Sequence, residues 1–378
     1  MAALALEAVR ARALELGFDA CGAAPAAALD EERGRLEAWL AEGRHGTMEW
    51  LARDPARRCD PRLVLEGCRS VVVVSLNYQR PDEEDRRDAP PVGKVSRYAR
   101  GRDYHRVMEK KLRKLARWID AEGAPGERSR PYVDHGPVLE RDWALRAGLG
   151  FIGKHTLLID PAAGSWFLLG VVLTTAAMDA PPPDPARDGC GACRACIDAC
   201  PTGAITEPWR LDARRCLSYL TIEHRGAIDP ELQARFDGWV FGCDACQDVC
   251  PYNRKRASPR EDDPLAPRKA PAEWSLVDLL TMAPGSIERD FEGSPLRRAG
   301  TAQLARNAAI VARARADDEG VEEALRIAAE RWPEMKEVVQ RSAKNAGLGS
   351  TTAQRHKGTE VSREASDGGI VASPCGDC

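Results

Sequence analysis

The chain has 378 residues, enough for two or three domains at about 150 residues each. Apolar residues make up 43% and charged residues 30% of the sequence, a balance that allows buried cores and excludes a chain disordered throughout. Lysine and arginine total 55 against 58 acidic residues, so the formal net charge is −3. This charge excludes a uniformly basic nucleic-acid binder but leaves room for a local basic face.

The first 180 residues combine helical and strand-like patterns. The opening segment MAALALEAVRARALELGF predicts an amphipathic helix. Short apolar runs predict buried strands at Val71–Leu76 and Phe167–Thr174. Between these strands, apolar residues recur at helical spacing from Asp103 to Glu122 and predict a helix with a charged outer face. Together these elements predict a mixed α/β domain over residues 1–180.

Proline-rich segments divide the rest of the chain. A linker-like stretch opens a cysteine-rich segment, 181–255, and helical patterns follow over 256–345. Residues 346–378 are rich in Gly, Ser and Thr without a period, which predicts a disordered tail. The longest apolar run, 165–178, is too short to span a bilayer, and the N-terminus lacks the pattern of a signal peptide. We therefore expect a monomeric, cytoplasmic protein without a membrane segment.

Eight of the thirteen cysteines lie between Cys190 and Cys250. Disulfides are rare in cytosolic proteins, so this concentration indicates metal binding. The first four cysteines and the following Pro201 spell C-x2-C-x2-C-x3-C-P: Cys190, Cys193, Cys196 and Cys200. This spacing is the bacterial ferredoxin pattern, in which the fourth cysteine ligates the other cluster of a pair.

The second cysteine run has one thiol fewer. Its members are Cys243, Cys246 and Cys250, followed by Pro251, and Cys216 is the nearby cysteine left to complete eight. The ferredoxin crossover then predicts one 4Fe–4S cluster on Cys190, Cys193, Cys196 and Cys250, and another on Cys200, Cys216, Cys243 and Cys246. Two zinc sites are the alternative, because C-x2-C pairs also bind zinc, but the repeated x3-C-P pattern disfavours them.

The remaining cysteines carry no predicted chemistry. Cys21, Cys59 and Cys68 are isolated along the chain and are expected to be small packed side chains. Cys375 and Cys378 form a C-x2-C pair within the predicted disordered tail, where we interpret it as incidental.

Several segments together resemble the epoxyqueuosine reductase family. They are SRYARGRDYH (Ser96–His105), YVDHGPVLERDWALRAGLGFIGKHTLLI (Tyr132–Ile159), CGACRACIDACPTGAI, LSYLTIEHRG and WVFGCDACQDVCPYN. The resemblance covers about residues 1–315. It implies an α+β multidomain protein with an α/β cobalamin-binding domain related to that of reductive dehalogenases, a ferredoxin-like domain with two 4Fe–4S clusters, and C-terminal HEAT-like helices. The implied reaction reduces an epoxide on the wobble base of a tRNA to an alkene, the last step of queuosine synthesis.

The resemblance also implies a proton donor. Removal of an epoxide oxygen needs two electrons and an acid, and Asp134 matches the family's proton donor. We expect burial beside the cofactor to raise its pKa so that it can donate near neutral pH; the alternative is an ordinary turn aspartate before Gly-Pro. His135 and His155 stand where the family is expected to have a small residue and Asn, so one of them is an alternative proton-sharing or cofactor-bonding group.

The cobalamin contacts implied by the resemblance come from segments similar to the family. The candidates are Arg58, Arg97, Tyr98, Lys154 and Ser218, with Tyr219 beside the last of them. Cobalamin carries amide side chains, a phosphate and a ribose, so hydrogen-bond donors and backbone groups should line its site. Each of the cations also has an ordinary reading as a surface or packing residue.

Three basic clusters are candidates for binding tRNA. Residues 93–118 hold ten Lys or Arg against two acidic residues, a local excess suited to phosphate. A second cluster is Arg254, Lys255, Arg256 and Arg260. The third is Arg297, Arg298 and Arg306 with Asn307. A solvated helix face explains the first cluster nearly as well.

Three other functions stay open at this stage. A reductive dehalogenase would use the same cofactors on a small organohalide. An electron-transfer ferredoxin fused to a binding module would contain no corrin, and Asp134 would then be dispensable. A tRNA-binding scaffold with structural clusters would bind tRNA without turnover. The basic clusters and the C-terminal helices favour the epoxyqueuosine reductase hypothesis, with tRNA as substrate and an unidentified external electron donor.

Overall fold

A computed structural model describes residues 3–79, 92–180, 189–254, 263, 265–266, 275–315, 318 and 320–335. The predicted tail, with Cys375 and Cys378, lies outside the described residues. The strands are β1 (Ala20–Pro25), β2 (Ser70–Asn77), β3 (Lys94–Val95), β4 (Ser129–Tyr132), β5 (Phe151–Ile152), β6 (Leu158–Ile159), β7 (Phe167–Thr174), β8 (Ile205–Glu207), β9 (Arg210–Leu211) and β10 (Trp239–Phe241).

The α-helices are short apart from one in the N-terminal part of the chain. They are α1 (Leu6–Glu15), α2 (Asp30–Ala41), α3 (Pro55–Cys59), α4 (Tyr104–Glu122), α5 (Glu140–Arg146), α6 (Ala195–Asp198), α7 (Leu217–Ile222), α8 (Pro230–Gln233), α9 (Ala245–Asp248), α10 (Leu276–Thr281), α11 (Ser286–Asp290), α12 (Thr301–Ala312) and α13 (Val321–Arg331). The predicted helix at 103–122 is confirmed as α4, with Asp103 as its N-cap. None of the helices described combines the length and apolar character that crossing a membrane requires.

The N-terminal part is built on a four-stranded sheet in the order β1-β2-β7-β4. Both predicted strands are confirmed, as β2 and β7, and they pair along their full length. Every pairing in this sheet is antiparallel. The expectation of an α/β domain is therefore wrong for this sheet, because strands that alternate with helices in parallel are absent from it; α+β describes it.

The central strands are buried on both faces, which explains their uninterrupted apolar sequence. Alternate residues of β2 enter two different cores: Val72 and Val74 pack with α1 and α4, whereas Val71 and Val73 pack with α5 and its neighbours. On β7, a Cβ at Gly170 would lie 2.7 Å from Leu112 of α4. Glycine at that position lets the long helix approach the sheet closely.

The cysteine-rich segment and the C-terminal helices share one hydrophobic core. That core combines residues of α7 and β10 with residues of α10, α12 and α13. Strand β3, from the N-terminal part, pairs in parallel with β10, so the cysteine-rich segment is tied to both neighbours. The predicted boundaries at 180, 255 and 345 stay predictions.

Candidate functional site

The first group of cysteines lies where the two cysteine runs meet. Cys190 and Cys250 pack in one small apolar cluster with Phe151 and Ile159. Burial raises the pKa of the Cys196 thiol, and the charges of Cys190, Cys250 and Cys193 raise it further. The four thiols are therefore within electrostatic reach of one another. Cys193 is the exposed member of this group.

The cysteines of the second group are all partly buried: Cys200, Cys216, Cys243 and Cys246. Burial raises the pKa of Cys246 well above its ordinary value, followed by the charges of Cys216, Cys243 and Cys200. Cys216 and Cys243 both pack against the shared core. Cys196 and Cys246 thus each feel the charges of the other three cysteines of their predicted set of four, and the assignment of the cluster ligands stays a prediction.

A single metal ion does not fit these groups as they stand. Among the described residues, no three or more His, Cys, Asp or Glu side chains converge on one ion position. A cubane cluster holds its four thiolates further apart than a zinc ion does. The zinc alternative therefore gains no support from the arrangement.

Asp134 lies in the loop between β4 and α5, where its backbone has φ of +59°. This left-handed conformation costs a non-glycine residue about 1 kcal/mol, and it turns the side chain into a cleft. Tyr104 donates a hydrogen bond of 2.9 Å to the Asp134 carboxylate, and His105 Nε2 lies 3.4 Å from the same oxygen. The backbone N–H of Asp134 donates to Glu140 at 2.6 Å. Strand β4, helix α4 and helix α5 thus meet at one carboxylate.

The protonation of this cluster differs from the expectation. The Asp134 side chain is 63% exposed, although protein atoms crowd the cleft around it. That crowding favours a raised pKa, but hydrogen bonds from His105 and Tyr104 outweigh it and hold the pKa of Asp134 below its ordinary value. The pKa of Asp134 is therefore lowered in the protein alone, and its predicted rise beside a bound cofactor stays a prediction.

The neighbours of Asp134 hold the protons instead. Burial works against a charged His105, but its hydrogen bonds to Asp103 and Asp134 outweigh burial and raise its pKa to about 9. Burial, followed by the charge of Asp134, raises the pKa of Glu140 to about 8. At neutral pH, His105 is therefore a cation and Glu140 is mostly a neutral acid.

Sequence reasoning missed Tyr104, His105 and Glu140 as members of this cluster. Tyr104 and His105 open helix α4, and their rings stack with centroids 4.1 Å apart. The available signal was the Asp103 cap directly before an aromatic residue and a histidine, which fixes both side chains at a helix start. Nothing in the local pattern indicated that this helix start faces the loop at Asp134.

Comparisons with known proteins identify the family of this chain. Residues 58–135 match the family model "Epoxyqueuosine reductase QueG, DUF1730", and residues 189–253 match the "4Fe-4S double cluster binding domain". The epoxyqueuosine reductase of Gloeobacter violaceus is 47% identical over 307 residues, which are 79% of this chain and 93% of that protein. This chain belongs to the epoxyqueuosine reductase family.

Two further comparisons agree with that membership. The epoxyqueuosine reductase of Escherichia coli K12 is 42% identical over 301 residues, which cover 79% of this chain and 78% of that protein. A crystal structure of an epoxyqueuosine reductase with an epoxyqueuosine-modified tRNA-Tyr stem loop superposes with a TM-score of 0.76 at 26% identity. The superposition covers 92% of this chain and 94% of that chain. The resemblance inferred from the sequence motifs is confirmed, and with it an α+β fold that carries a double 4Fe–4S cluster domain.

In this member of the epoxyqueuosine reductase family, Arg58 and His155 are two predicted candidates for cofactor contact, and the first of them reaches the Asp134 loop. Arg58 donates a 3.3 Å hydrogen bond to the carbonyl of Gly136. His155 is buried, and its Nδ1 accepts a hydrogen bond from the N–H of Leu157. Burial, followed by the charge of Arg141, lowers the pKa of His155 to about 4, so its ring is neutral at pH 7. Nε of Arg58 and Nε2 of His155 are buried without a partner among the described residues.

The other predicted contacts lie at the border with the cysteine-rich segment. Arg97 stacks over Trp166, with 4.5 Å between the guanidinium and the ring centroid, and pairs with Asp248. The ammonium group of Lys154 donates to the carbonyls of Gly191 and Cys193.

Three remaining candidates differ in their exposure. Tyr98 packs edge-on against Tyr104 at 5.9 Å, and Ser218 is partly exposed in α7, directly after Cys216. His135 is 55% exposed, and its Nε2 lies 3.6 Å from Glu109. Tyr98 and His135 therefore border the cleft that contains Asp134.

The third basic cluster is largely structural. Arg306 donates hydrogen bonds to the carbonyls of Leu220, His224 and Gly226 and to the side chain of Asn307. Asn307 is fully buried and donates to the carbonyls of Thr221 and Val240. Asn307 is therefore not available to tRNA, and its assignment to a tRNA surface is wrong; Arg306 is partly exposed, and its assignment stays a prediction. Arg298 pairs with Glu223 through two bonds of 2.9 Å.

Proposed function

We propose that this chain reduces epoxyqueuosine to queuosine at the wobble position of tRNA. The observation that carries the proposal is the grouping of Tyr104, His105 and Glu140 around Asp134. The reaction takes up two electrons and two protons, breaks both carbon–oxygen bonds of the epoxide, and yields an alkene and water. The chain must therefore supply electrons and protons, and it offers a separate set of residues for each.

The electron supply rests on the eight clustered cysteines. Thiolates are the usual ligands of 4Fe–4S clusters, and four of them suit one cluster. We assign one cluster to Cys190, Cys193, Cys196 and Cys250, and the other to Cys200, Cys216, Cys243 and Cys246. The match of residues 189–253 to a double cluster binding domain supports this assignment. Because Cys193 is exposed, we expect the external electron donor to approach the first group.

The cleft at Asp134 also suits cobalamin. Arg58 contacts the loop at Gly136, and amide carbonyls of a corrin would satisfy the unpartnered donors of Arg58 and His155. Arg97 and Lys154 would fix the wall of the site, because their charged groups are held by the cysteine-rich segment. We retain Tyr98 and Ser218 as further proposed contacts. Bound cobalamin would supply the cobalt chemistry of the reduction, and the clusters would supply single electrons.

Of the two protons that the reaction takes up, residues of this chain would deliver one to the departing oxygen, and solvent water would supply the other. Asp134 is a carboxylate at neutral pH, so it must take up a proton before it can act as the donor. The protonated Nε2 of His105, 3.4 Å from the Asp134 carboxylate, would pass its proton to that oxygen, and Asp134 would pass it to the departing oxygen. Tyr104 would orient the carboxylate, and neutral Glu140 would keep a second negative charge away from it.

We extend the proposal to the domain organisation. A cobalamin-binding domain would occupy residues 1–180, a ferredoxin-like domain 181–255 and HEAT-like helices 256–345. The packing of α12 against both α10 and α13 supports a helical repeat arrangement. We further propose that the protein acts as a cytoplasmic monomer.

Anaerobic reconstitution with iron, sulfide and cobalamin tests the proposal. The loaded protein receives a chemical reductant and tRNA that carries epoxyqueuosine, and mass analysis of the digested tRNA measures the loss of one oxygen atom. We expect queuosine with loaded protein and none when cobalamin is left out. Tight tRNA binding without any conversion would favour the scaffold hypothesis, and conversion that does not depend on cobalamin would contradict the proposed chemistry.

A further inference from the structure

A basic groove of about 670 Å³ runs along helix α4, outside the Asp134 cleft. Its other walls are the end of α1 at Leu16 and the segment Glu292–Gly293, which precedes α12. Five cations line the groove together with two carboxylates: Arg102, Arg106, Lys110, Lys111, Lys114, Asp103 and Glu292. The protein as a whole has a net charge of −3, so this excess of positive charge is local.

The five cations differ in whether other groups of the protein already bind their charged ends. Lys111 donates to the carbonyls of Leu16 and Gly17 at the end of α1, so its charge stabilises the fold. Arg106 faces Glu292 across a loose, exposed pair of 3.9 Å. Arg102, Lys110 and Lys114 are exposed, and within the described part of the chain no ion pair or hydrogen bond holds their side chains.

Three of the exposed cations repeat along one face of helix α4. Arg106, Lys110 and Lys114 are four residues apart, which places them about 6 Å apart along the axis. Like charges at this spacing repel one another and destabilise a helix. A ligand with a regular row of negative charges would remove that repulsion, and a sugar–phosphate backbone is such a ligand.

The groove shares a wall with the candidate active site. Asp103 lines the groove and accepts hydrogen bonds from the backbone and ring of His105. The other ring nitrogen of His105 lies 3.4 Å from Asp134. A strand of RNA in the groove would therefore place neighbouring nucleotides one side chain away from the proposed proton donor.

We propose that this groove binds the sugar–phosphate backbone of the substrate RNA beside the nucleotide that is reduced. The inference rests on the proposed function and names the surface that would hold the substrate. An acidic electron-donor protein is the competing occupant. The position of the groove beside Asp134 favours RNA, whereas Cys193 offers a donor protein an exposed approach to the thiols elsewhere.

The test uses the reconstituted full chain with Lys110→Gln and Lys114→Gln combined. The probe is an anticodon stem loop that carries epoxyqueuosine, and its dissociation constant is measured between 50 and 200 mM salt. We expect binding to weaken roughly tenfold at 50 mM salt, and the slope of log affinity against log salt to fall by about 2. A matched control combines Arg33→Gln and Arg326→Gln, which also removes two charges from arginines paired within their own helices. The control should bind like the parent.

The possible results distinguish failure of the groove proposal from failure of the proposed reaction. Unchanged affinity and slope in the Lys110 and Lys114 variant, with iron content intact, would overturn the groove proposal even if the parent converts its substrate. Unchanged RNA binding with slower electron uptake from an acidic flavoprotein would overturn it in favour of the competing occupant. A reduced slope in a protein whose parent shows no conversion would support an RNA groove while contradicting the proposed reaction.

Discussion

The junction around Asn307 and the loop around Asp134 both bring polar side chains between packed parts of the chain. At the junction, Arg306 and Asn307 satisfy each other and the carbonyls of α7, its following loop and β10, and Asn307 is completely buried. At the loop, Asp134 has a strained backbone, a 63% exposed carboxylate and neighbours that carry protons. Complete hydrogen bonding indicates a structural role, whereas an accessible group beside proton carriers is suited to chemistry.

The largest expected effect is on turnover, from Asp134→Asn. The amide is close in size to the carboxylate and can still accept from Tyr104, but it cannot relay a proton. We expect conversion of epoxyqueuosine-containing tRNA to slow by about 10²- to 10⁴-fold, while iron, corrin and tRNA binding are retained. Single-turnover conversion, followed by mass analysis, measures the effect. Parent-like turnover in this variant would remove Asp134 from the proton path.

A substitution at Asn307 should lower the stability of the folded protein and not the rate of turnover. Asn307→Ala removes the hydrogen bond to the carbonyl of Val240, one of the two to the carbonyl of Thr221, and the bonds from the Arg306 guanidinium to the Asn307 side chain. We expect a loss of about 3 kcal/mol, seen as a melting temperature lower by roughly 5–10 °C. Arg297→Gln, at an exposed position nearby, is the control and should shift the melting temperature little. Equal shifts in the two variants would contradict the structural role of the junction.

The pH dependence of turnover tests whether the residues around Asp134 supply protons. His105 and Glu140 must be protonated in the proposed scheme, with pKa values of about 9 and about 8. Turnover should hold near neutral pH and fall as pH rises through 8 to 9, and His105→Gln should remove the limb near 9. A rate that stays level to pH 10 would exclude both groups as the proton supply.

The raised pKa values of His105 and Glu140 also predict that the stability of the fold depends on pH. Both pKa values are raised above the ordinary values of 6.5 and 4.5. The stability contributed by His105 is therefore full below pH 6.5 and is lost as pH rises through about 9; for Glu140 the loss runs from 4.5 to about 8. Denaturation monitored between pH 6 and 9 should show a falling midpoint that flattens in His105→Gln.

The smallest expected effect is that of Tyr104→Phe. The burial of Tyr104 and the negative charge of Asp134 both raise its pKa, so the hydroxyl stays protonated and donates to that carboxylate. Loss of this bond should raise the pKa of Asp134 and slow turnover roughly tenfold. The pH–rate profile distinguishes this role from simple packing, because a packing defect would lower the rate without moving the profile.

The sequence predicted helices and strands better than it predicted strand pairing or the partners of individual side chains. The bounds of β7 and α4 follow from apolar runs and helical spacing, which are local. The antiparallel order of the sheet did not follow, because a strand buried on both faces has the same apolar run in either arrangement.

The side-chain partners were predicted less well than the elements. The cysteine spacing alone predicts which thiols share a cluster, and that assignment stays a prediction. The partners of Arg306 are carbonyls about 80 residues away, and Asp134 and His105 meet only through the tertiary fold. No local pattern carries such information.

The central claim is that the eight clustered thiols hold two iron–sulfur cubes. The most direct measurement is the iron, sulfide and zinc content of the protein purified without oxygen, together with Cys196→Ser and Cys243→Ser. The account predicts about eight iron and eight sulfide per chain in the parent, and loss of a different half, with a distinct spectrum, in each variant. A colourless parent that contains zinc and no sulfide would contradict it.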